Sequence, residues 1–440
     1  MTSLLPGGVR WWEAPELTSV GRLPMHAVPH SDQVSLDGLW AFQLLEAPDA
    51  DTGTEWRDIE VPGCWTMQDV GDRPHYTNIA MPYDGVPPQV PDRNPTGVYR
   101  RTVTVPPGWA GKRIVLHVGA AESALLVSVD DSVVGLSKDS HLAAEFDITT
   151  CVVPGGSSTI ELRVAKWSDA NYIEDQDQWW HGGVTRSLFL YATERVHLAE
   201  VGLTPSLAPD LTMGTLDIDL LVADGDGPLG GGWGVEVEVE GLAEPLRAPV
   251  PGWLPMGPLR FDDAEQKAVM AWIGEAMGAG RSFEDAVVAL DAPPATRPLL
   301  ARIRRAPAGR VHLSLEVRDV APWSAELPCL SQVTIRLLAP DGLVHEEASY
   351  RVGYRRVEVD GHRLLVNGQP ILIHGVNRHD FHPRTGRVVS GDDIRARDSF
   401  DRAIAKASHP AFSPDQRETV LGKARAHRDR VEIKIKAATP

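Results

Sequence analysis

The hydrophobic positions between Gln33 and Tyr191 fall in short runs rich in Val, Ile, Leu and Thr, and clusters of Gly, Pro, Asp and Asn separate these runs. Runs of this kind are typical of β-strands that end at turns. Because no helical period lies between them, the pattern predicts an antiparallel β-sandwich. The predicted strands are Tyr99–Val105, Arg113–Val118, Ala124–Val129, Thr159–Val164 and Ser187–Tyr191, with a hairpin turn at Asp130-Asp131-Ser132.

A second β-rich region alternates strictly between apolar and acidic residues in Leu216–Leu220 and Val235–Val239. A period of two predicts a sheet with one buried face. Strand patterns return at Val311–Val317 and Gln332–Leu337, and the preceding residues Asp262–Gly280 are predicted to be helical. The apolar positions of this helix are Ala268, Met270, Trp272, Ile273 and Met277. We therefore expect a β domain with a helical insertion.

A third pattern begins with two short predicted strands, Val357–Val359 and Leu364–Val366, and a predicted hairpin turn at Asn367-Gly368. The apolar run Ile371–Ile373 follows, and polar residues from His374 onward come directly after it. This order is typical of a buried parallel strand with chemistry at its carboxyl end.

Length and composition fit a folded chain of several domains. The 440 residues suggest about three domains. The formal net charge of −17 has the wrong sign for counterion release from nucleic acid, so DNA and RNA partners are excluded. No run approaches 18 apolar residues, and the amino terminus lacks a basic region followed by a long apolar one. We expect a soluble, cytoplasmic protein with no membrane partner.

Patterns for structural metal sites are weak. The three cysteines, Cys64, Cys151 and Cys329, are odd in number and far apart, so we expect neither disulfides nor zinc. His379 and His382 are three residues apart, but no third ligand lies near them in the sequence. A hydrogen-bonded structural role is the more frequent one for a histidine of this kind.

The densest group of chemistry-bearing side chains lies in Trp167–Gly183. Its members are Asp169, Glu174, Asp175 and Asp177 among Trp167, Tyr172, Trp179 and Trp180. Carboxylates bind hydroxyls and hard cations, and aromatic rings stack on sugars, so the group predicts a sugar or cation site. An acidic loop at the edge of the sandwich explains the same residues equally well. Asp175 and Asp177 cannot straddle a sugar as a catalytic pair, because alternate residues of an extended segment point the same way.

These clusters and the sequences around them strongly resemble the β-galactosidases of glycoside hydrolase family 2, the large bacterial lactose-hydrolysing type. The matching stretches follow the family order from about residue 11 to residue 398, which makes the resemblance specific. They are Leu36–Trp40, Val61–Met67, Tyr76–Asn78, Asn94–Tyr99, Glu145–Asp147, Trp167–Asp169, Glu174–Asp177, Pro322–Glu326, Val352–Arg355 and Gly375–His379.

The resemblance implies a mainly β fold that starts with a jelly-roll sugar-binding domain over residues 1–194. An immunoglobulin-like β-sandwich domain would follow over 195–354, with the helical insertion near 258–300. Residues 355–398 would begin a (β/α)8 catalytic barrel, which is incomplete in this chain. A divergent basic tail over 399–440 would end the chain.

The resemblance also implies roles for three residues. Asn78 would contact a galactosyl hydroxyl, and Asp177 would both accept a sugar hydroxyl and bind the sodium ion of the site. His379 would make a contact that strengthens as the oxocarbenium-like transition state forms. Amide, carboxylate and imidazole groups are suited to hydroxyls.

The chain departs from the family in the region that carries the catalytic residues. The acid/base and nucleophile of the family are glutamates on later barrel strands, and neither is present here. Sodium and magnesium are the implied cofactors, but the barrel's magnesium site is absent together with those strands. Residues 401–410 share little with the family beyond Ser408-His409-Pro410. A truncated or frameshifted product explains this better than a new enzyme.

The implied function is hydrolysis of terminal non-reducing β-D-galactose from β-galactosides such as lactose, with retention of configuration. Relatives of this type are homo-oligomers, and the chain alone is expected to be inactive. A carbohydrate-binding or complementing fragment is the main alternative, and a non-functional fragment is another. Glucuronidase and mannosidase activities occur in the same family, but Glu174–Asp177 and Tyr76–Asn78 favour a galactosidase.

Overall fold

The computed structural model of the protein describes residues 10–25, 28–30, 32–78, 80–225, 229–251, 263–280, 293, 296, 309–373 and 379–395. These residues are mainly β and form several antiparallel sheets. Their helices include α1 (Asn171–Glu174), α2 (Asp263–Gly278) and short 3₁₀ turns at Trp11–Glu13, Trp65–Met67 and Pro107–Trp109. Residues 391–395 are also helical. Within this part of the chain, no helix has both the length and the apolar character needed to cross a membrane.

The strands of the first β region lie between residues 19 and 193. They are β1 (Ser19–Val20), β2 (Gln33–Ser35), β3 (Gly38–Leu45), β4 (Arg57–Val61), β5 (Gly63–Cys64), β6 (His75–Thr77), β7 (Thr96–Thr104), β8 (Arg113–Val118), β9 (Ala121–Glu122), β10 (Ala124–Val129), β11 (Ser132–Ser137), β12 (Ala144–Asp147), β13 (Ser157–Ala165), β14 (Gln178–Trp180), β15 (Gly183–Val184) and β16 (Leu188–Thr193). A large sheet has the order β1-β11-β10-β13-β7-β3-β4, and a second sheet has the order β12-β8-β16-β2. Smaller ladders are β14-β6 and β5-β15-β9.

The two larger sheets share one hydrophobic core, because their strands direct alternate side chains toward each other. Phe42 and Tyr99 enter this core from the large sheet, and Leu116 and Leu190 enter it from the second. The predicted hairpin turn at Asp130-Asp131 is confirmed, with φ values of +46° and +64° that a two-residue turn of type I′ requires. The predicted antiparallel strands are therefore present.

Strand β10 is buried on both faces. Leu125 and Val127 point into the shared core, whereas Leu126 points into a separate aromatic cluster. The tryptophans of that cluster are Trp11, Trp12, Trp167 and Trp180. The amino-terminal turn thus covers the outer face of the large sheet, and two of the tryptophans in the predicted sugar-binding group are core residues.

The second β region contains β17 (Val196–Leu207), β18 (Met213–Asp224), β19 (Gly234–Val239), β20 (Leu246–Pro249), β21 (Arg310–Arg318), β22 (Ser331–Leu338) and β23 (Val344–Val352). Its sheets have the orders β17-β18-β21 and β20-β19-β22-β23. The two sheets share a core of their own. The predicted alternation is confirmed, since Leu216, Ile218 and Leu220 are fully buried. On the opposite face of β19, Glu236 pairs with Arg247 at 2.6 Å and Arg336 at 2.9 Å.

The predicted helix is confirmed as α2, which spans Asp263–Gly278. Val269, Ile273 and Ala276 are buried, and this spacing of four and three residues follows one helix face. Met270 and Met277, two of the apolar positions named from the sequence, are more than half exposed at 58% and 51% because they do not lie on that face.

The third region forms a small sheet, β24-β25-β26, from Val357–Asp360, Arg363–Val366 and Gln369–Pro370. The predicted turn at Asn367-Gly368 joins the last two strands, and both residues have positive φ. The prediction of a buried strand at Ile371–Ile373 is wrong. These residues are not in a strand, and they are 42%, 78% and 76% exposed. Only the N–H of Ile371 continues the ladder among the described residues, donating to the Leu364 carbonyl of β25 at 3.0 Å.

Candidate functional site

The short ladder between β6 and β14 brings two of the predicted site residues to the same place. Thr77 pairs with Gln178, and Tyr76 pairs with Trp179, in antiparallel register. Asn78 directly follows Thr77 and Asp177 directly precedes Gln178, so both residues lie at one end of the ladder. The structure therefore brings together an amide and a carboxylate that are 99 positions apart in the printed sequence.

Asp177 is an exposed carboxylate held by one neighbour on the opposite strand. The Tyr76 hydroxyl donates a hydrogen bond to Asp177 Oδ1 at 2.5 Å. This hydrogen bond raises the pKa of Tyr76 above its ordinary value, so the phenol remains the donor at neutral pH. Asp177 Oδ2 lies on the same exposed group and can accept from a ligand hydroxyl.

Two aromatic faces stand beside this carboxylate. The rings of Tyr76 and Trp179 are 5.4 Å apart and tilted by 52°, and both side chains are nearly half exposed. Exposed aromatic faces next to a carboxylate and an amide suit a sugar, whose C–H faces stack and whose hydroxyls donate and accept. The arrangement can bind and orient a polar ring at the molecular surface.

Trp180 anchors the strand that carries this site. Its side chain is buried, and its indole Nε1 donates to Thr77 Oγ1 at 2.7 Å. The ring also packs edge-on against Trp167, with the ring centres 5.7 Å apart. Consecutive strand residues point to opposite faces, so burying Trp180 exposes Trp179.

The four carboxylates of the predicted cluster do not act together. Asp169 is nearly buried and forms an ion pair with Lys138 at 2.6 Å. Glu174 accepts hydrogen bonds from the backbone and hydroxyl of Ser140, and burial raises its pKa. Of the four, Asp177 is the one that faces the exposed aromatic pair, and the cluster prediction is corrected to that extent.

The structure places His379 at the start of the segment 379–395, where it is exposed. Residues 374–378, which carry part of the predicted polar cluster, lie outside the described residues. Phe381 packs against His181, with ring centres 5.7 Å apart, so this segment contacts the strand end that follows β14. His379 is therefore brought to the region of the β6–β14 ladder, although the structure shows no direct contact between it and Asp177.

His181 and Cys64, which lie beneath this contact, are poor candidates for reactive groups. Burial lowers the pKa of His181 to about 4, so the ring is neutral at pH 7, and Thr66 Oγ1 lies 2.8 Å from its Nδ1. Burial raises the pKa of the Cys64 thiol to about 12, which removes its nucleophilic thiolate form. Both side chains lie close to Gly386 of the segment 379–395.

Sequence reasoning missed Arg387 and Glu122. Arg387 Nε lies 2.8 Å from Glu122 Oε2, and both side chains are largely buried. Neither residue lies in a recognisable motif, and a contact between such distant positions leaves no local signal. Arg387 is therefore identified as a site residue from the fold, and no local sequence pattern predicts it.

Sodium at Asp177, which the resemblance implies, stays a prediction. Among the described residues, no cluster of three or more His, Cys, Asp and Glu side chains is placed to hold a metal ion. Asp177 Oδ1 accepts the Tyr76 hydroxyl, and the carboxylate keeps further lone pairs of the kind that bind hard cations.

Two family models match this chain. Residues 34–194 match the sugar binding domain of glycosyl hydrolases family 2. Residues 357–404 match the TIM barrel domain of the same family. The first match contains Asn78 and Asp177, and the second begins at β24 and contains His379.

Curated relatives include β-galactosidases from Yersinia. The β-galactosidase of Yersinia pestis bv. Antiqua (strain Angola) is 30% identical over 410 residues, which is 88% of this chain and 35% of the relative. The β-galactosidase of Yersinia pseudotuberculosis serotype I (strain IP32953) is also 30% identical over 410 residues and is covered to 34%. The chain thus spans about a third of the length of the curated relatives it matches.

Solved structures with a similar fold include two β-glucuronidases. β-Glucuronidase 2 of Bacteroides uniformis has a TM-score of 0.59 and 18% identity, and the match covers 84% of this chain and 38% of that one. The β-glucuronidase of Bifidobacterium dentium has a TM-score of 0.58 and 17% identity, covering 91% and 61%. At these identities the likeness concerns the fold.

Proposed function

We propose that this chain is the sugar-binding amino-terminal part of a retaining β-galactosidase of glycosyl hydrolases family 2. The two matched domains and the relatives at 30% identity support this family assignment. The substrate class, terminal β-D-galactosides, is our inference from the β-galactosidases among those relatives and from the chemistry of the site. The sugar binding domain itself indicates that the chain binds carbohydrate.

The finer domain assignment is part of the same proposal. The two sheets around the first core support a jelly-roll domain over residues 1–194. The two sheets around the second core support an immunoglobulin-like domain over residues 195–354. The match from residue 357 onward supports a barrel that begins near residue 355.

The observation that carries the proposal is the end of the β6–β14 ladder. There the Asn78 amide and the Asp177 carboxylate stand together, and the exposed rings of Tyr76 and Trp179 flank the carboxylate. Tyr76 fixes the orientation of Asp177, which leaves one carboxylate oxygen for a sugar hydroxyl. A charge-assisted hydrogen bond of this kind is about twice as strong as a neutral one.

The charge of the site favours a neutral galactoside over a glucuronide. Asp177 carries a carboxylate at the exposed aromatic pair and Asp175 lies two residues before it. The nearby Arg387 guanidinium is already paired with the buried Glu122. A glucuronide would bring its own carboxylate into this field, and like charges repel. For this reason the fold likeness to β-glucuronidases does not guide our choice of substrate.

Hydrolysis with retention needs two carboxyl groups about 5–5.5 Å apart on opposite sides of the sugar bond. The family resemblance assigns both groups to barrel strands later than those matched here. Asp177 serves to bind and orient the galactosyl ring, and His379 would join it from the barrel side. A carbohydrate-binding fragment without catalysis is the second candidate function, and the match to the sugar binding domain supports it equally.

Calorimetric titration of the full chain with methyl β-D-galactoside and methyl β-D-glucuronide tests the proposal. We expect binding of the galactoside, at least 10-fold weaker binding of the glucuronide, and no hydrolysis of nitrophenyl β-galactoside. Asp177→Asn should weaken galactoside binding about 10-fold, which is the loss of one charge-assisted hydrogen bond.

Asp175→Asn is the matched control, since it removes the same charge two residues before Asp177. Equal small effects of the two variants would make Asp177 an ordinary surface carboxylate. Tighter binding of the glucuronide than of the galactoside would overturn the substrate class.

A further inference from the structure

One side chain joins the segment 379–395 to the strand that carries the site. Arg387 is 15% exposed and forms an ion pair with Glu122, which is 3% exposed. Its two terminal nitrogens donate to Gln178 Oε1 at 3.3 Å and to the main-chain carbonyl of Trp179 at 3.2 Å. The guanidinium also stands 5.2 Å from the centre of the Phe381 ring. The Arg387 guanidinium thus contacts Glu122 and Trp179 of the first β region as well as Phe381 of its own segment.

Glu122 also contacts the residues that directly follow β14. Its Oε1 accepts a hydrogen bond from the backbone N–H of His181 at 3.1 Å. In the β9–β15 ladder Glu122 also pairs with Gly183. A buried carboxylate that loses its cation leaves an uncompensated charge, so this pair is strongly coupled. Removing either partner would therefore disturb residues 178–183.

The segment approaches the first β region too closely to shift without breaking contacts. A Cβ at Gly386 would lie 2.8 Å from His181 Cε1 and 3.2 Å from Cys64 Sγ. Gly386 also has a φ of +64°, and it exchanges two backbone hydrogen bonds with His382 at 2.8 and 2.9 Å. The turn that precedes Arg387 is therefore shaped to fit this surface.

We propose that Arg387 is a positioning residue, which through Glu122, Gln178 and Trp179 fixes the Asp177 strand against the segment that begins at His379. This inference rests on the proposed function, in which Asp177 and His379 contact the same galactosyl ring from two domains. Misplacement of a contacting group by about 1 Å can cost about 100-fold in rate. A binding site depends on the same precision, so we expect the contact between the two segments to contribute to affinity.

The affinity of the full chain for methyl β-D-galactoside tests this role. Arg387→Met should weaken binding about 10-fold or more. Arg387→Lys should weaken it less, because an ammonium group keeps the charge beside Glu122 but lacks the planar fork that reaches Gln178 and Trp179. Arg395→Met is the matched control, since it removes an exposed ion pair with Asp392 in the same segment.

A double-mutant cycle separates positioning from general destabilisation. Arg387→Met should cause a smaller loss of affinity in an Asp177→Asn background than in the parent chain, because part of its effect acts through the placement of the Asp177 carboxylate. Additive losses, or a loss that appears only with a lowered Tm, would overturn the proposal.

Hydrogen exchange tests the positioning role of Arg387 without a sugar ligand. In Arg387→Met, backbone amides of residues 176–181 should exchange at least 10-fold faster than in the parent chain and in Arg395→Met. Unchanged exchange there would overturn the positioning role. If the parent chain binds no galactoside but exchange increases as expected, the proposed function fails and the positioning of the strand stands.

Discussion

At the scale of single residues, Glu145 accepts hydrogen bonds from two aromatic side chains of the first β region. It accepts hydrogen bonds from His117 Nδ1 at 2.8 Å and from the Tyr191 hydroxyl at 2.9 Å. These partners keep its pKa below the ordinary value despite burial, which acts in the opposite direction. His30 stacks on Tyr191 with the ring centres 3.9 Å apart. The stack is part of a cavity of about 300 Å³ between the first and second β regions.

His30 makes the stability of the chain depend on pH. Burial lowers its pKa from the ordinary 6.5 to about 4. The charge of Glu145 opposes this shift, whereas Arg113, His117 and His197 add to it. Between pH 6.5 and 4 the unfolded chain therefore binds a proton that the folded chain refuses, and stability falls as the pH falls. We expect Tm to decrease from pH 7 to pH 4.5.

His30→Phe keeps the stacked ring and removes the titration, so it should flatten this decrease. Some pH dependence should remain because His181 is shifted in the same direction. His362→Phe, on an exposed turn, is the control. A decrease that is identical in His30→Phe and in the parent chain would contradict the assignment.

At the scale of elements, the link between β14 and β15 depends on a glycine that packs against a tryptophan. A Cβ at Gly182 would lie 2.2 Å from Cζ2 of Trp65, which is fully buried. Trp65 cannot easily move, because its indole Nε1 donates to Asp72 Oδ2 at 2.9 Å and Asp72 pairs with Lys166. The path of the chain after the candidate site is therefore fixed by packing.

Gly182→Ala should lower the free energy of unfolding by about 1–3 kcal/mol, the usual cost of overpacking a core. Gly274→Ala is the matched control, since Gly274 lies inside α2 with open space around it. That substitution should raise the free energy of unfolding by about 0.5–1 kcal/mol, because alanine favours a helix. Chemical denaturation of both variants measures the difference, and a neutral Gly182→Ala would show that Trp65 can relax.

Local patterns were sufficient for elements whose burial alternates along one strand. The alternation in Leu216–Leu220 and the turns at Asp130-Asp131 and Asn367-Gly368 were predicted because each depends on a few adjacent residues. The run Ile371–Ile373 was mistaken for a buried strand, because burial needs neighbouring strands that the run itself does not specify. Hydrophobicity predicts a preference for burial, and tertiary structure decides whether burial occurs.

The candidate site, too, could be predicted only in part from the sequence. Asn78 and Asp177 were named from the resemblance to a family, but their common position depends on the register of the β6–β14 ladder. The Tyr76–Asp177 hydrogen bond joins residues 101 positions apart, and the Arg387–Gln178 contact joins residues 209 positions apart. Sequence patterns of a few residues contain no information on such pairings.

At the scale of the whole molecule, the first and second β regions have separate cores. The first core and the tryptophan cluster use residues between Trp11 and Ala192. The second core begins at Leu198, except for Val28, which reaches it from the first region. The cavity between the two regions leaves part of their contact unpacked, so each region derives most of its stability from its own core.

Residues 1–194 should therefore fold in isolation. We expect a fragment of this length to unfold cooperatively and to reproduce one of the transitions that calorimetry resolves in the full chain. A fragment without a cooperative transition would show that the first region needs the second one. Deletion of residues 195–440 is then also a means of studying sugar binding without the barrel segment.

The exposed apolar run Ile371–Ile373 can be covered in two ways, by docking within the molecule or by association with another molecule. Docking of the run onto strands of the same molecule is first order and proceeds at a rate independent of concentration. Association with the same run of another molecule is second order, so its share grows with the amount of protein. Slow synthesis and dilute conditions therefore favour the first outcome, and the yield of monomer becomes a matter of kinetics as much as of stability.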